Sequence, residues 1–141
     1  MAPWFWYAVA AAALYGAHQI FTRLVSDHIG DGLGGFVVEA TAALSILLYL
    51  AFLWLSGRWN QKFSIKGFNY SALTGICVGA GTIAFFLLFQ KGGPLSSVPA
   101  ILAAGAAIMA VAGILFFREP ISWQRLLGVS LAIIGLFLLR R

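Results

Sequence analysis

Five apolar segments separated by short polar turns occupy most of this sequence. A bilayer core of roughly 30 Å requires about 20 apolar residues per helix. On that measure, helices are predicted over residues 3–24, 33–55, 68–89, 95–117 and 123–139. Only the last of these segments is short. The sequence therefore predicts an all-α integral membrane protein, a bundle of about five transmembrane helices.

The composition agrees with a surface that faces lipid. Of the 141 residues, 62% are apolar and 9% are charged, whereas ordinary soluble domains have about 45–50% and about 25%. The net charge of +5 comes from nine Lys/Arg and four Asp/Glu. The basic residues lie at the ends of the apolar segments, where they anchor helices to lipid headgroups. We therefore expect the basic residues to contact the lipid bilayer and not nucleic acid.

The ends and connections of the chain give no sign of a second kind of domain. Residues 1–17 are apolar but lack the basic region of a signal peptide, so we interpret them as part of the first span. The loops are brief and contain turn residues, and none could hold a catalytic domain. We expect a single transmembrane domain over residues 1–141.

The C-terminal third of the sequence combines several features in a fixed order. A Gly/Pro turn at residues 91–94 leads to a helix that is rich in small residues and contains Pro99. A glutamate, Glu119, follows at the next turn. The last helix then opens with a pattern formed by Gln124, Leu127 and Gly128.

This order resembles the C-terminal half of the repeat in EamA-like proteins of the drug/metabolite transporter superfamily. Tyr15 and Gly16 similarly resemble the aromatic-Gly step of that family's first helix. The resemblance implies a five-helix repeat that transports small molecules in the cytoplasmic (inner) membrane of a bacterium. Many members carry two repeats in one chain, whereas this sequence has one. The second copy would then come from another molecule, in a homodimer or in a heterodimer with a second five-helix chain.

Glu39 is the only acid inside any of the predicted spans. It lies about seven residues into the second helix, roughly 10 Å from that end at 1.5 Å per residue. A charge at that depth costs on the order of 2.5–3.5 kcal/mol, and such groups mark substrate or proton pathways. We therefore predict a protonatable site at Glu39, while a buried polar contact that only fastens two helices together remains the alternative.

Three side chains of the first helix are candidates for the same site. His18 lies at a depth similar to that of Glu39, so the two side chains could meet, and Gln19 and Arg23 could hydrogen-bond to or pair with Glu39. Tyr15 adds a phenolic hydroxyl. An acid at depth beside aromatic rings suits a cationic or amine-bearing substrate.

Other features favour structural roles. Glu119 beside Arg118 is interpreted as a surface charge pair, and Pro99 could kink the fourth helix and free carbonyls toward a cavity. Patterns of small residues, such as Gly75 and Gly79 in the third helix, are interpreted as packing faces within the bundle or between protomers.

Known catalytic and metal-binding patterns are missing from the sequence. There is no Ser/His/Asp set in loops, no phosphate-binding Gly loop after a strand and no Cys/His metal spacing, and Cys77 stands alone. We expect no enzyme activity, no catalytic residues, no metal and no cofactor.

The leading hypothesis is a transporter or exporter of small metabolites or amphipathic, cationic compounds, oligomeric and coupled to protons. A lipid-headgroup flippase and a structural subunit of a larger membrane complex remain as alternatives.

Overall fold

The computed structural model describes residues 4–118, 120 and 122–138, apart from the side chains of Arg125, Ala132 and Leu136. Within that part of the chain there are five α-helices and no strand: α1 (Trp4–Ser26), α2 (Asp31–Leu55), α3 (Ile65–Gln90), α4 (Val98–Phe117) and α5 (Trp123–Leu138). A short 3₁₀ turn, Leu95–Ser97, precedes α4. The expected all-α architecture of five helices is confirmed.

The helices extend beyond the apolar segments at several ends. The helix α2 begins at Asp31 and α3 at Ile65, so both start before the predicted residues 33 and 68. Polar groups are favourable in these first turns: the Asp31 carboxylate complements the helix dipole, and the Ser64 hydroxyl accepts the Gly67 N–H at 3.0 Å. The outermost predicted bounds, Pro3 and Leu139, lie outside the described residues.

Three of the described helical segments are long and apolar enough to cross a membrane: Asp31–Leu55, Ile65–Gln90 and Leu95–Phe117. The helix α1 has 23 residues, but its Trp, Tyr, His and Gln side chains make it less apolar. The helix α5 has 16 described residues, which extend about 24 Å, less than a hydrocarbon core of about 30 Å.

The chain divides into two compact units, Met1–Gly92 and Gly93–Arg141. The expectation that the two units form a single domain stays a prediction. In the first unit, α3 packs against both α1 and α2. Its buried residues all lie near the end of α1, the start of α2 and the end of α3. They are Gln19, Thr22, Ser26, Gly34, Gly35, Thr82, Phe86 and Phe89.

Gly34 of α2 lies directly against the Phe86 ring of α3. A Cβ atom at this position would lie 2.4 Å from Cε1 of Phe86, and the Phe86 side chain is 0% exposed. Small residues leave room at contacts between helices in lipid, and here Gly34 leaves room for the Phe86 ring. By contrast, a Cβ at Gly75 or Gly79 would meet nothing within 4 Å, so within the described residues these two glycines do not pack against another helix.

Polar contacts join the ends of α1 and α3. The Gln90 side chain donates from Nε2 to the carbonyl oxygens of Ser26, at 3.4 Å, and Ile29, at 3.1 Å. Carbonyls at the end of a helix lack partners within the helix, and Gln90 supplies a donor for them. Arg23 pairs with Asp27 at 2.7 Å, and its guanidinium carbon lies 6.0 Å from the centre of the Phe89 ring.

In the second unit, α4 and α5 pack against each other. Pro99 is the second residue of α4, where no intrahelical hydrogen bond needs its missing N–H. Pro99 therefore gives no reason for a kink in this helix, which was only a possibility from the sequence. The helix ends at Phe117, and the following Arg118 adopts a left-handed conformation with φ of 51° and donates its N–H to the Gly113 carbonyl oxygen. Glu119, and with it the expected charge pair, lies outside the described residues.

Candidate functional site: a polar layer across three helices

Hydrogen bonding places Glu39 against α3. The Thr82 hydroxyl donates to Oε1 of Glu39 at 2.5 Å, a length typical of a hydroxyl that donates to a carboxylate, about 2.5–2.7 Å. Thr82 is buried and Glu39 is half-buried. Because α2 begins at Asp31, Glu39 lies about 12 Å along the helix, slightly deeper than the sequence suggested.

Thr82 uses its hydroxyl differently from other hydroxyl residues of the same unit. Four of those others donate to the carbonyl four residues earlier in their own helix, as is common for Ser and Thr in apolar helices. They are Thr22, Thr41, Ser45 and Thr74. Thr82 instead donates across to α2. Its hydroxyl therefore compensates part of the cost of placing a carboxyl group inside an apolar bundle.

His18 and Gln19 lie at the same depth as this pair. Gln90 bonds to Ser26, so the ends of α1 and α3 are level. His18 and Thr82 each lie eight residues before those ends, which is about 12 Å along each helix. We call His18, Gln19, Glu39 and Thr82 the polar layer.

Two atoms of the polar layer have no hydrogen-bond partner among the described residues. They are Nδ1 of His18 and Oε1 of Gln19, and both are buried. Gln19 as a whole is only 6% exposed. A buried polar group without a partner costs about 1–3 kcal/mol, so an arrangement with two such atoms requires an explanation beyond packing.

The candidate partners of Glu39 are only partly brought together. The hydrogen bond found at Glu39 comes from Thr82, and the interaction of His18 with Glu39 stays a prediction. Arg23 pairs with Asp27. The Tyr15 ring meets the His18 ring edge-on, with centroids 6.4 Å apart and an interplanar angle of 74°, although Tyr15 is 68% exposed.

The pairing of Thr82 with Glu39 is the contact that sequence reasoning did not find. Thr82 stands out little in the sequence because Ser and Thr are frequent in membrane helices. A depth argument could have found it, since it lies as far from the end of α3 as Glu39 lies from the start of α2. In the described part of the chain, no three His, Cys, Asp or Glu side chains are grouped as a metal site would need.

Comparison with known proteins decides the family. A model of the EamA-like transporter family matches residues 2–141. The chain belongs to this family. The resemblance noted in the sequence is thereby confirmed, and membership of the EamA-like transporter family makes the chain a membrane transport protein.

Two curated relatives are similar over most of their own length. One, described as an uncharacterized transporter in the cobO 3′ region of Sinorhizobium sp., is 24% identical over 138 residues, 96% of this chain and 95% of the relative. The other is described as a probable 4-amino-4-deoxy-L-arabinose-phosphoundecaprenol flippase subunit ArnE of Pseudomonas syringae pv. syringae (strain B728a). It is 26% identical over 96 residues, 60% of this chain and 88% of the relative. No solved structure is a significant match.

Proposed function

We propose that this EamA-like protein carries small metabolites or amphipathic compounds with a cationic group across a bacterial cytoplasmic membrane, and that Glu39 binds the cation and exchanges it for a proton. The observation that carries the proposal is the hydrogen bond from Thr82 to Glu39. It holds a carboxyl group at a defined place inside the bundle. Among the described residues, no donor reaches the second oxygen, Oε2, which leaves it for a substrate.

The position of Glu39 favours transport over a purely structural contact. An ionisable group inside a membrane is costly, and the default explanation of such a group is a substrate or proton path. A helix-fastening contact could use a neutral Ser, Thr or Asn at lower cost. The half-buried carboxyl group can release a proton when it binds a cation and take up a proton when the cation leaves. This exchange is the simplest form of coupling for this site.

The test is the substitution Glu39→Gln, which keeps the size and hydrogen bonding of the side chain but cannot ionise. We expect near-normal expression and the loss of transport, or the loss of its pH dependence, in reconstituted vesicles. Asp31→Asn, at the start of α2 and outside the polar layer, is the matched control and should transport as the wild type does. Normal transport by Glu39→Gln at every pH would contradict the proposal.

A lipid-headgroup flippase is the second candidate, and the relative described as an ArnE flippase subunit favours it. That relative's named substrate carries an amino group on a sugar, which Glu39 could also bind. The two functions differ in what crosses the membrane. Reconstituted vesicles should be assayed in parallel for uptake of soluble amines and for the appearance of labelled lipid headgroups in the opposite leaflet.

We further propose that the working unit is a dimer, since transporter folds are commonly built from two repeats with the site at their interface. The partner is a second copy or another five-helix chain. The helix α3 has 26 residues and extends about 39 Å, longer than a bilayer core. Lys62 and Lys91, just before and just after α3, therefore lie on opposite sides of the membrane.

Single cysteines at these two positions, in a Cys77→Ala background, report orientation in intact cells. Labelling of both sites from outside supports a homodimer with its two copies inserted in opposite directions. Labelling of one site alone means a single orientation and excludes the inverted pair. Permeabilised cells, in which both sites should react, provide the control.

A further inference from the structure

The unpartnered atoms of the polar layer point to a particular kind of cation. Resting on the function proposed above, we propose that the layer binds a primary ammonium group in preference to a quaternary one. The acceptors would be Oε2 of Glu39, Oε1 of Gln19 and Nδ1 of His18. The last two are the buried atoms without a hydrogen-bond partner among the described residues.

The number and kind of these atoms match a primary ammonium. Such a group has three N–H donors and one positive charge, as the Lys side chain does. Glu39 supplies the opposite charge and one acceptor. The amide oxygen of Gln19 is a second acceptor, and neutral His18 supplies a third when its proton is on Nε2. One bound ammonium would therefore satisfy both unpartnered atoms.

A quaternary ammonium fits the same layer poorly. It has no N–H, so Gln19 and His18 would stay buried without partners after it bound. Sites built to hydrogen-bond a substrate discriminate strongly against analogues that lack the donor. Quaternary cations are held instead by accessible aromatic faces. Phe86 and Phe89 of α3 are 0% and 1% exposed, and the exposed Tyr15 ring, which meets the His18 ring edge-on, offers a single face and not an aromatic cage.

The burial of Gln19 makes the inference testable in two opposite directions. In the free protein the unpartnered oxygen of Gln19 is destabilising. Replacing Gln19 with Leu, which has a similar volume, should therefore raise the melting temperature. The same replacement removes an acceptor for the ammonium. A purely structural glutamine would give the opposite result, since its loss would destabilise the protein and leave ligand selectivity unchanged.

The experiment measures binding of n-hexylamine and of hexyltrimethylammonium to the purified full chain in mild detergent by titration calorimetry. The wild type should bind n-hexylamine at least about tenfold more tightly, as expected for hydrogen bonds to a charged group. In Gln19→Leu, affinity for n-hexylamine should fall by about tenfold and affinity for hexyltrimethylammonium should not change. Gln61→Leu, in the exposed loop between α2 and α3, is the control and should match the wild type.

The outcomes separate this inference from the proposed function. If the wild type binds the two probes equally and Glu39→Gln abolishes both, the cation site stands and the preference for a primary ammonium is overturned. A Gln19→Leu variant that weakens both probes equally, or neither, overturns it as well. If neither probe binds, or if Glu39→Gln binds both normally, the proposed function fails too. The wild-type selectivity needs no substitution, so it decides the question even if a variant does not fold.

Discussion

The contact between Gly34 and Phe86 allows a stability effect to be estimated from geometry. In Gly34→Ala, the new methyl carbon would lie 2.4 Å from Cε1 and 2.7 Å from Cζ of Phe86. Ordinary carbon–carbon contacts are about 3.5–4.0 Å, so the ring must move by roughly 1 Å or more. Phe86 is 0% exposed, so a shift of its ring must displace the side chains that enclose it. Overpacking of this kind costs about 1–3 kcal/mol.

The matched control is Gly79→Ala in α3. Both substitutions improve helix propensity, by up to about 1 kcal/mol, but a Cβ at Gly79 meets nothing within 4 Å. The free energy of unfolding should therefore be lower for Gly34→Ala than for Gly79→Ala by about 1–3 kcal/mol. Titration of the purified protein from mild-detergent micelles into SDS, followed by tryptophan fluorescence, measures this difference.

A double-mutant cycle identifies the ring as the cause. Phe86→Leu removes the two ring atoms that the new methyl group would meet. The pair Gly34→Ala and Phe86→Leu should thus be at least about 1 kcal/mol more stable than the sum of the single effects predicts. Equal stability of Gly34→Ala and Gly79→Ala would refute the close contact between Gly34 and the Phe86 ring.

Three further experiments test the polar contacts. Thr82→Val should reduce the transport rate by about tenfold or more, because Glu39 loses its hydrogen-bond donor. Thr82→Ser should stay within about twofold of the wild-type rate, and the control Thr74→Val should transport normally. Equal rates for Thr82→Val and Thr74→Val would contradict this prediction. Alanine substitutions at His18 and Glu39 should show coupled effects on stability, and additive effects would mean that the side chains do not interact. Gln90→Leu should lower the free energy of unfolding by about 0.5–1.5 kcal/mol, measured by the same SDS titration, since it removes two bonds to the turn after α1.

Much of the architecture was predictable because it depends on local interactions. Long apolar segments must be helical in lipid, where each backbone group needs a partner within the segment, and this fixes the number and approximate bounds of the helices. The depth of Glu39 follows from the same reasoning, since it depends only on residue spacing along one helix. The family, too, was recognisable from the order of features between residues 89 and 139.

The contacts between helices were decided only by the tertiary structure. The sequence offers several small-residue patterns, and Gly34, rather than Gly75 or Gly79, lies against a side chain of another helix. It likewise offers His18 and other partners for Glu39, and Thr82 donates the bond. In lipid, apolar faces gain little from burial against one another, so helix pairing depends on the fit of backbones and side chains from distant parts of the chain. Spacing along a single helix does not contain that information.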